Sequence, residues 1–170
     1  SIEGSAVDEV FMGQVLQTGC GQAPARQAAL KAGIPHSVPC TTVNKVCASG
    51  MKSIQLAAQS IALGQIEVAV AGGMENMSLA PYYMSKSRTG FGFGHQNITD
   101  SILKDGLWDP YNNIAMGNCA EILCKEGHAV AYFGGSKKDI QTKQIAFIKI
   151  KINSVTIAGE IYIMKFENKR

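Results

Sequence analysis

Between Val38 and Ala71 the hydrophobic period changes twice, and this stretch constrains the chain more than any other. Val38, Cys40, Thr41, Thr42, Val43 and Val46 are β-favouring residues around Pro39. From Met51 the apolar positions repeat at three and four residues through Ile54, Ala58 and Ile61, with Leu56, Ala57 and Ala62 widening the stripe, which predicts a helix. Gly64 is a natural stop for it. The run from Glu67 to Ala71, with Val68, Ala69, Val70 and Ala71 in succession, reads as a strand buried on both faces. Strand, helix, strand is the repeating unit of an α/β fold.

Cys47 sits where the first strand gives way to the helix, in VNKVCASGM. Ala48, Ser49 and Gly50 are small, so a ligand or another backbone can come close to the sulfur. The first-turn amides of a helix lack intrahelical partners, and with the positive end of the dipole they favour an anionic sulfur, the nucleophilic form. Lys45 adds a positive charge two residues away. Open α/β sheets bind their ligands at the carboxyl ends of strands, which is where Cys47 falls. The competing reading is a buried structural cysteine, a common state of the free residue.

Upstream, Asp8 to Met12 predicts a short strand ending at Gly13. Pro24 suits a first helical position, Ala25 to Ala32 are strong helix formers, and Gly33 with Pro35 stops them. Arg26 on that helix reads as structural, because a guanidinium cannot act as a base at neutral pH. Downstream, Gly72 and Gly73 allow a sharp turn into Met74, Glu75, Asn76 and Met77. The stretch from Pro81, with GFGFGHQ at 90–96, reads as loop; it lacks the strand and helix that a phosphate-cradling turn needs. Ile98 to Leu107 predicts a short helix closed by Gly106, and Asp109-Pro110 a turn. The segment QIAFIKIKINSVTIAGEIYIMKF holds two isoleucine-rich runs and a candidate β-hairpin around Thr156 to Gly159, or a sticky edge.

The balance of charge is uneven. Residues 1–133 carry 8 Lys/Arg against 10 Asp/Glu, and residues 134–170 carry 8 against 3, so the net +3 belongs to the tail. A nucleic-acid footprint therefore does not follow from it, and no nucleic-acid partner is expected. Five cysteines, Cys20, Cys40, Cys47, Cys119 and Cys124, show no zinc-ligand spacing, and their odd number fits a reducing compartment better than a disulfide framework. No stretch of eighteen apolar residues suggests a membrane span.

CTTVNKVCASGMK, with GQAPARQAAL before it and VAVAGGMENMS after it, resembles the thiolase family, in particular the acetoacetyl-CoA thiolases, or acetyl-CoA C-acetyltransferases. The likeness runs over about residues 4–123. It implies an α/β fold, a thiolase-like N-terminal half with helices covering a mixed sheet over 1–84, the start of the loop domain over 85–124, and a divergent tail over 125–170. It implies that Cys47 attacks an acyl-CoA and carries the acyl group as a thioester, two acetyl-CoA giving acetoacetyl-CoA and CoA reversibly. Acyl-CoA is then substrate, with no cofactor and no metal. Asn44, Met74, Glu75, Asn76 and Met77 would support the nucleophile from behind, and Met116 in IAMGNCAE would line the acyl and pantetheine pocket, Ala115 standing where many biosynthetic members have His. The resemblance further implies a homo-oligomer, dimer or tetramer, with Arg26 near the dimer contact, and a mitochondrial location with the cytoplasm as alternative.

In that family the activating His, the oxyanion-hole donors and a second, deprotonating Cys come from a C-terminal half whose motifs have no counterpart here, and His36, His95 and His128 stand in no matching context. The alternative function is therefore a catalytically silent thiolase-like chain, and a cysteine hydrolase is more remote. The family's first strand, held to be central in the sheet, is also without a counterpart, which predicts uncovered apolar faces or strands borrowed from a partner.

Overall fold

A computed structural model describes residues 2–126 and, as backbone strands, 155–158 and 161–165. Contacts divide it into two units, Ser1–Gly106 with Ile152–Arg170, and Leu107–Lys151.

The first unit is built on β1 (Glu9–Gly13), α1 (Pro24–Lys31), β2 (Cys40–Val43), α2 (Ser49–Ala62) and β3 (Val68–Gly73). β1 pairs in parallel with both neighbours, in the order β2-β1-β3. Alternation along the strands then sorts side chains to two faces. Val10, Met12 and Val68 pack with Ala25 and Ala29 of α1 on one face. Phe11, Ala69 and Ala71 pack with Ala57 and Ile61 of α2 on the other. Both faces of β1 and β3 are thus covered, as a parallel sheet requires.

The helix ends follow the signals in the chain. α1 starts at Pro24 behind Ala23, which has left-handed backbone and no capping side chain; Thr42 on β2 takes the Ala25 amide instead, at 3.1 Å. Each of the two helices stops at a left-handed glycine, Gly33 or Gly64, followed by a six-to-one hydrogen bond, Ile34 N to Ala29 O and Gln65 N to Ser60 O, both 3.0 Å. Arg26 holds the α1–β2 connection, donating to His36 O at 2.9 Å and Val38 O at 3.5 Å, a structural use of the guanidinium.

The face of α2 differs from expectation. Ser49, Ser53, Ala57 and Ile61 are its buried residues, whereas Met51 is 60% exposed and Ala62 is also exposed. The first turn packs against backbone glycines, so only small residues fit there and the apolar count misplaces the stripe. Two further departures lie beyond β3. Within the stretch read as loop, β4 (Tyr82–Met84) pairs antiparallel with β5 (Ile98–Asp100), so Ile98 does not begin a helix. A π-type turn over Leu103–Leu107 follows.

The sheet has no gap at its centre. β1 bonds directly to β3, and the far edge of β3 is taken by β9 (Ile161–Lys165), antiparallel, with β8 (Val155–Ala158) outside it. The hairpin expected near Thr156 thus forms and covers that edge from within the chain, without a borrowed strand. The first isoleucine-rich run and His128 lie outside the described residues.

In the second unit, β6 (Trp108–Asp109) pairs with β7 (Ile114–Ala115) around the Asp109-Pro110 turn, and α3 (Met116–Lys125) follows. Asp109 caps the turn through Tyr111 N at 2.9 Å and Asn112 Nδ2 at 2.6 Å. No described helix is long and apolar enough to cross a membrane.

One contact outside the core sets an acid limit. Asp8 Oδ2 accepts from Val68 N at 2.9 Å and Glu67 N at 2.8 Å, and these two amides hold its carboxyl below the usual range. The folded value lies below the unfolded one, so this stabilisation is present above about pH 4 and fades as pH falls through the lowered value. Urea unfolding midpoints are expected to fall more steeply below about pH 4 in the native chain than in Asp8→Asn. Parallel acid limbs in the two proteins would contradict this account.

Candidate active site

The three parallel strands end level with one another, Gly13 opposite both Val43 and Gly73. Three loops therefore leave the sheet side by side: Gln14 onward from β1, Asn44 to Ala48 from β2, and Met74 onward from β3. The start of α2 rests directly on these ends. A Cβ on Gly13 would lie 2.4 Å from Ser49 C and 2.5 Å from Gly50 N, and one on Gly50 3.4 Å from Gly73 N. Glycine at 13 is what lets helix and strand backbones approach this closely.

Cys47 is exposed on the connection from β2 to α2, two residues before the helix. Ala48, the residue before α2, supplies no side-chain cap, and the amides of Ala48 and Ser49 are taken by Lys45 O at 3.1 Å and Val46 O at 3.0 Å. Val46, just before the cysteine, has a left-handed φ of 48°. For a β-branched residue that conformation is strained, by an amount on the order of 1–3 kcal/mol. Asn44 Oδ1 accepts the Val46 amide at 3.0 Å. The Ser49 hydroxyl accepts from Lys45 N at 2.8 Å and donates to Val46 O at 2.6 Å.

Val15 ties the loops together. Its amide and that of Leu16 donate to the two carboxylate oxygens of Glu75, at 2.9 and 3.0 Å, and its carbonyl accepts from Asn44 Nδ2 at 3.5 Å. Met74 N adds a bond to Gly13 O at 2.9 Å. Of the expected supporting residues, then, Asn44 and Glu75 act on backbone that frames the cysteine turn, and Met74 is half-buried against the Val10 and Met12 core. Asn76 and Met77 are exposed at a single 3-10 turn, Met77–Leu79. Met116 is exposed at the start of α3, in the second unit.

No described histidine is hydrogen-bonded to Cys47. His36 precedes the amino end of β2, the opposite end of that strand from the cysteine, and His95 is exposed in the loop before β5. Cys40 is half-buried on β2; burial pushes its thiol above the ordinary value, with Arg26 opposing and Glu9 adding. For Cys119, desolvation first and then the Asp109 carboxylate, 3.7 Å away, raise the thiol. Both are poorer nucleophile candidates than the exposed Cys47. Ser49, Val15 and Gln14 were not foreseen. Gln14 is buried, bonds Leu16 O at 3.4 Å and Cys20 Sγ at 3.3 Å, and leaves its Oε1 without a partner. Only the run of small residues after Cys47 hinted at Ser49.

The family described as thiolase, N-terminal domain, matches residues 1–130. Acetyl-CoA acetyltransferase 2 of Arabidopsis thaliana is 60% identical over 126 residues, covering 74% of this chain and 31% of that protein. The mitochondrial acetyl-CoA acetyltransferase of Mus musculus is 59% identical over 120 residues, covering 71% and 28%. Among solved structures, Acat5 thiolase from Ascaris suum in complex with coenzyme A superposes with a TM-score of 0.70 at 39% identity, over 75% of this chain and 33% of that one. The chain thus spans about a third of the length of the relatives it matches.

Proposed function

Given that the chain belongs to the thiolase family, we propose that it carries the acyl-accepting nucleophile of an acetyl-CoA C-acetyltransferase. The observation that supports this most is the exposed Cys47 at the carboxyl end of β2, where α2 starts without a side-chain cap. In the first half-reaction the Cys47 thiolate attacks the thioester carbonyl of acetyl-CoA. The carbonyl-to-sulfur bond of the substrate breaks, CoA leaves as a thiolate and takes up a proton, and the acetyl group stays on Cys47. In the second, a base removes a proton from the methyl of another acetyl-CoA. The resulting carbanion attacks the acetyl carbonyl, which frees Cys47 and yields acetoacetyl-CoA. The positive end of the α2 dipole, two residues from Cys47, favours negative charge in both steps.

The relatives' names support acetyl-CoA as the substrate, and the Ascaris neighbour carries coenzyme A. Met116 is our candidate for the acyl and pantetheine pocket. We further propose a homo-oligomer. A mitochondrial location is in line with the mouse and Xenopus tropicalis relatives, which are named so, and the cytoplasm is the alternative, since the Arabidopsis names carry no compartment. The second reading is a catalytically silent thiolase-like chain. It is favoured by the position of His36 at the wrong end of β2 to act as the base.

Intact-mass spectrometry after incubation with acetyl-CoA tests the proposal. One acetyl group is expected on the native chain and none on Cys47→Ser. A folded native sample that takes up no acetyl group would refute the nucleophile assignment for this chain and leave the silent reading.

A further inference from the structure

The turn that presents Cys47 is strained in its backbone, and one buried hydroxyl holds it. Val46 adopts φ 48°, a region that β-branched side chains avoid because Cβ crowds the carbonyl oxygen. A free chain of this sequence would relax to an extended or right-handed conformation, swinging Cys47 off the start of α2. Three groups oppose that relaxation. Asn44 Oδ1 fixes the Val46 amide at 3.0 Å, and the Ser49 amide fixes the Val46 carbonyl, also at 3.0 Å. The Ser49 hydroxyl does two things at once: it accepts from Lys45 N at 2.8 Å and donates to Val46 O at 2.6 Å, bridging the Asn44–Lys45 peptide to the Val46–Cys47 peptide across the strained residue.

Ser49 is itself immobile. It is 4% exposed, its Cβ faces Gly13, and its carbonyl accepts from Ser53 Oγ at 3.0 Å. The hydroxyl is therefore anchored to the rigid part of the molecule, the seat of α2 on β1, while the groups it binds belong to the loop. We propose that Ser49 is a positioning residue for Cys47: its hydroxyl latches the left-handed turn at Val46 and so fixes the sulfur against the first turn of α2. This rests on the assignment of Cys47 as the acyl-carrying nucleophile. Ser49 takes no proton and touches no substrate; it acts through Lys45 and Val46.

A double-mutant cycle separates latching from mere packing. Glycine at 46 adopts the left-handed conformation without strain and so needs no latch. The readouts are the rate of Cys47 alkylation by iodoacetamide, located by peptide mapping, and the rate of acetyl uptake from acetyl-CoA, each with a circular dichroism check of folding. Ser49→Ala is expected to slow both reactions at Cys47 by about tenfold or more, with helix content retained, a factor that the two lost hydrogen bonds at the turn can account for. Val46→Gly alone is expected to change them less than threefold. Adding Val46→Gly to Ser49→Ala is expected to restore most of the lost rate.

Additive or worse-than-additive losses in the double variant would overturn the latch, because a packing role for Ser49 gains nothing from glycine at 46. An unchanged Cys47 rate in Ser49→Ala would overturn it as well. The two reagents keep the readings apart. If the native chain takes up no acetyl group, the acyl-carrier assignment fails, and the iodoacetamide cycle still decides the latch.

Discussion

Gly13→Ala is expected to cost at least about 3 kcal/mol of folding stability, at the upper end of what overpacking does in a core. The added Cβ would meet Ser49 C at 2.4 Å, Gly50 N at 2.5 Å and Ser49 Cβ at 2.8 Å. Non-bonded carbon atoms settle near 3.5–4.0 Å, and two of these three atoms are backbone. No rotamer change can relieve the contact, so α2 must lift from β1 and take the Cys47 turn with it. Such a loss is a large share of a total stability of roughly 5–15 kcal/mol and should lower the melting temperature by about 10 °C. Thermal unfolding by circular dichroism reads it directly. Gly92→Ala is the control: no atom lies within 4 Å of a Cβ there, and a shift near zero is expected. A Gly13→Ala protein that melts with the native chain would mean that α2 is not seated on β1 in solution.

Glu75→Ala is expected to release the loop that follows β1. The carboxylate is the acceptor for two adjacent amides, Val15 and Leu16, and Leu16 is buried, so its N–H has no ready access to water once Glu75 is gone. Hydrogen bonds to a charged group are worth about 1.5–3 kcal/mol each, and the exposed Val15 bond is discounted because water replaces it, which leaves a loss of about 2 kcal/mol. Glu75→Gln keeps one oxygen acceptor and should lose about half as much. Hydrogen exchange localises the effect: protection is expected to fall at Val15 and Leu16 while the β1 to β3 ladder stays protected. Native-like protection at both amides in Glu75→Ala would show that the clasp is incidental.

Local pattern announced the framework well. Pro24, Gly33 and Gly64 mark helix boundaries by mechanisms that act within a turn of the chain, and the period change from Val43 to Met51 placed Cys47 at a strand-to-helix junction. What stayed hidden depends on distant partners. The Glu75 clasp joins residues 59 and 60 positions apart. The phase of α2 is set by Gly13 and Gly73 beneath it, so Ser49 and Ser53 are buried and Met51 is not, against the apolar count. A left-handed valine is invisible to propensity, which argues against it. Tyr82 to Met84 is too short to announce a strand, and only pairing with Ile98 to Asp100 makes it one.

The antiparallel partner of β3 comes from far along the chain. Val68 to Gly72 bonds to Lys165 through Ile161, a separation of roughly ninety residues. A chain made from its amino end at about 5–20 residues per second would hold that edge of β3 open for roughly 5–18 s before β9 exists to close it. Loop-closure entropy then slows the final pairing further. During synthesis the hydrogen-bonding groups along this side of β3 are open to any extended segment nearby, so the window before completion is when a nascent chain of this design is most exposed to mispairing.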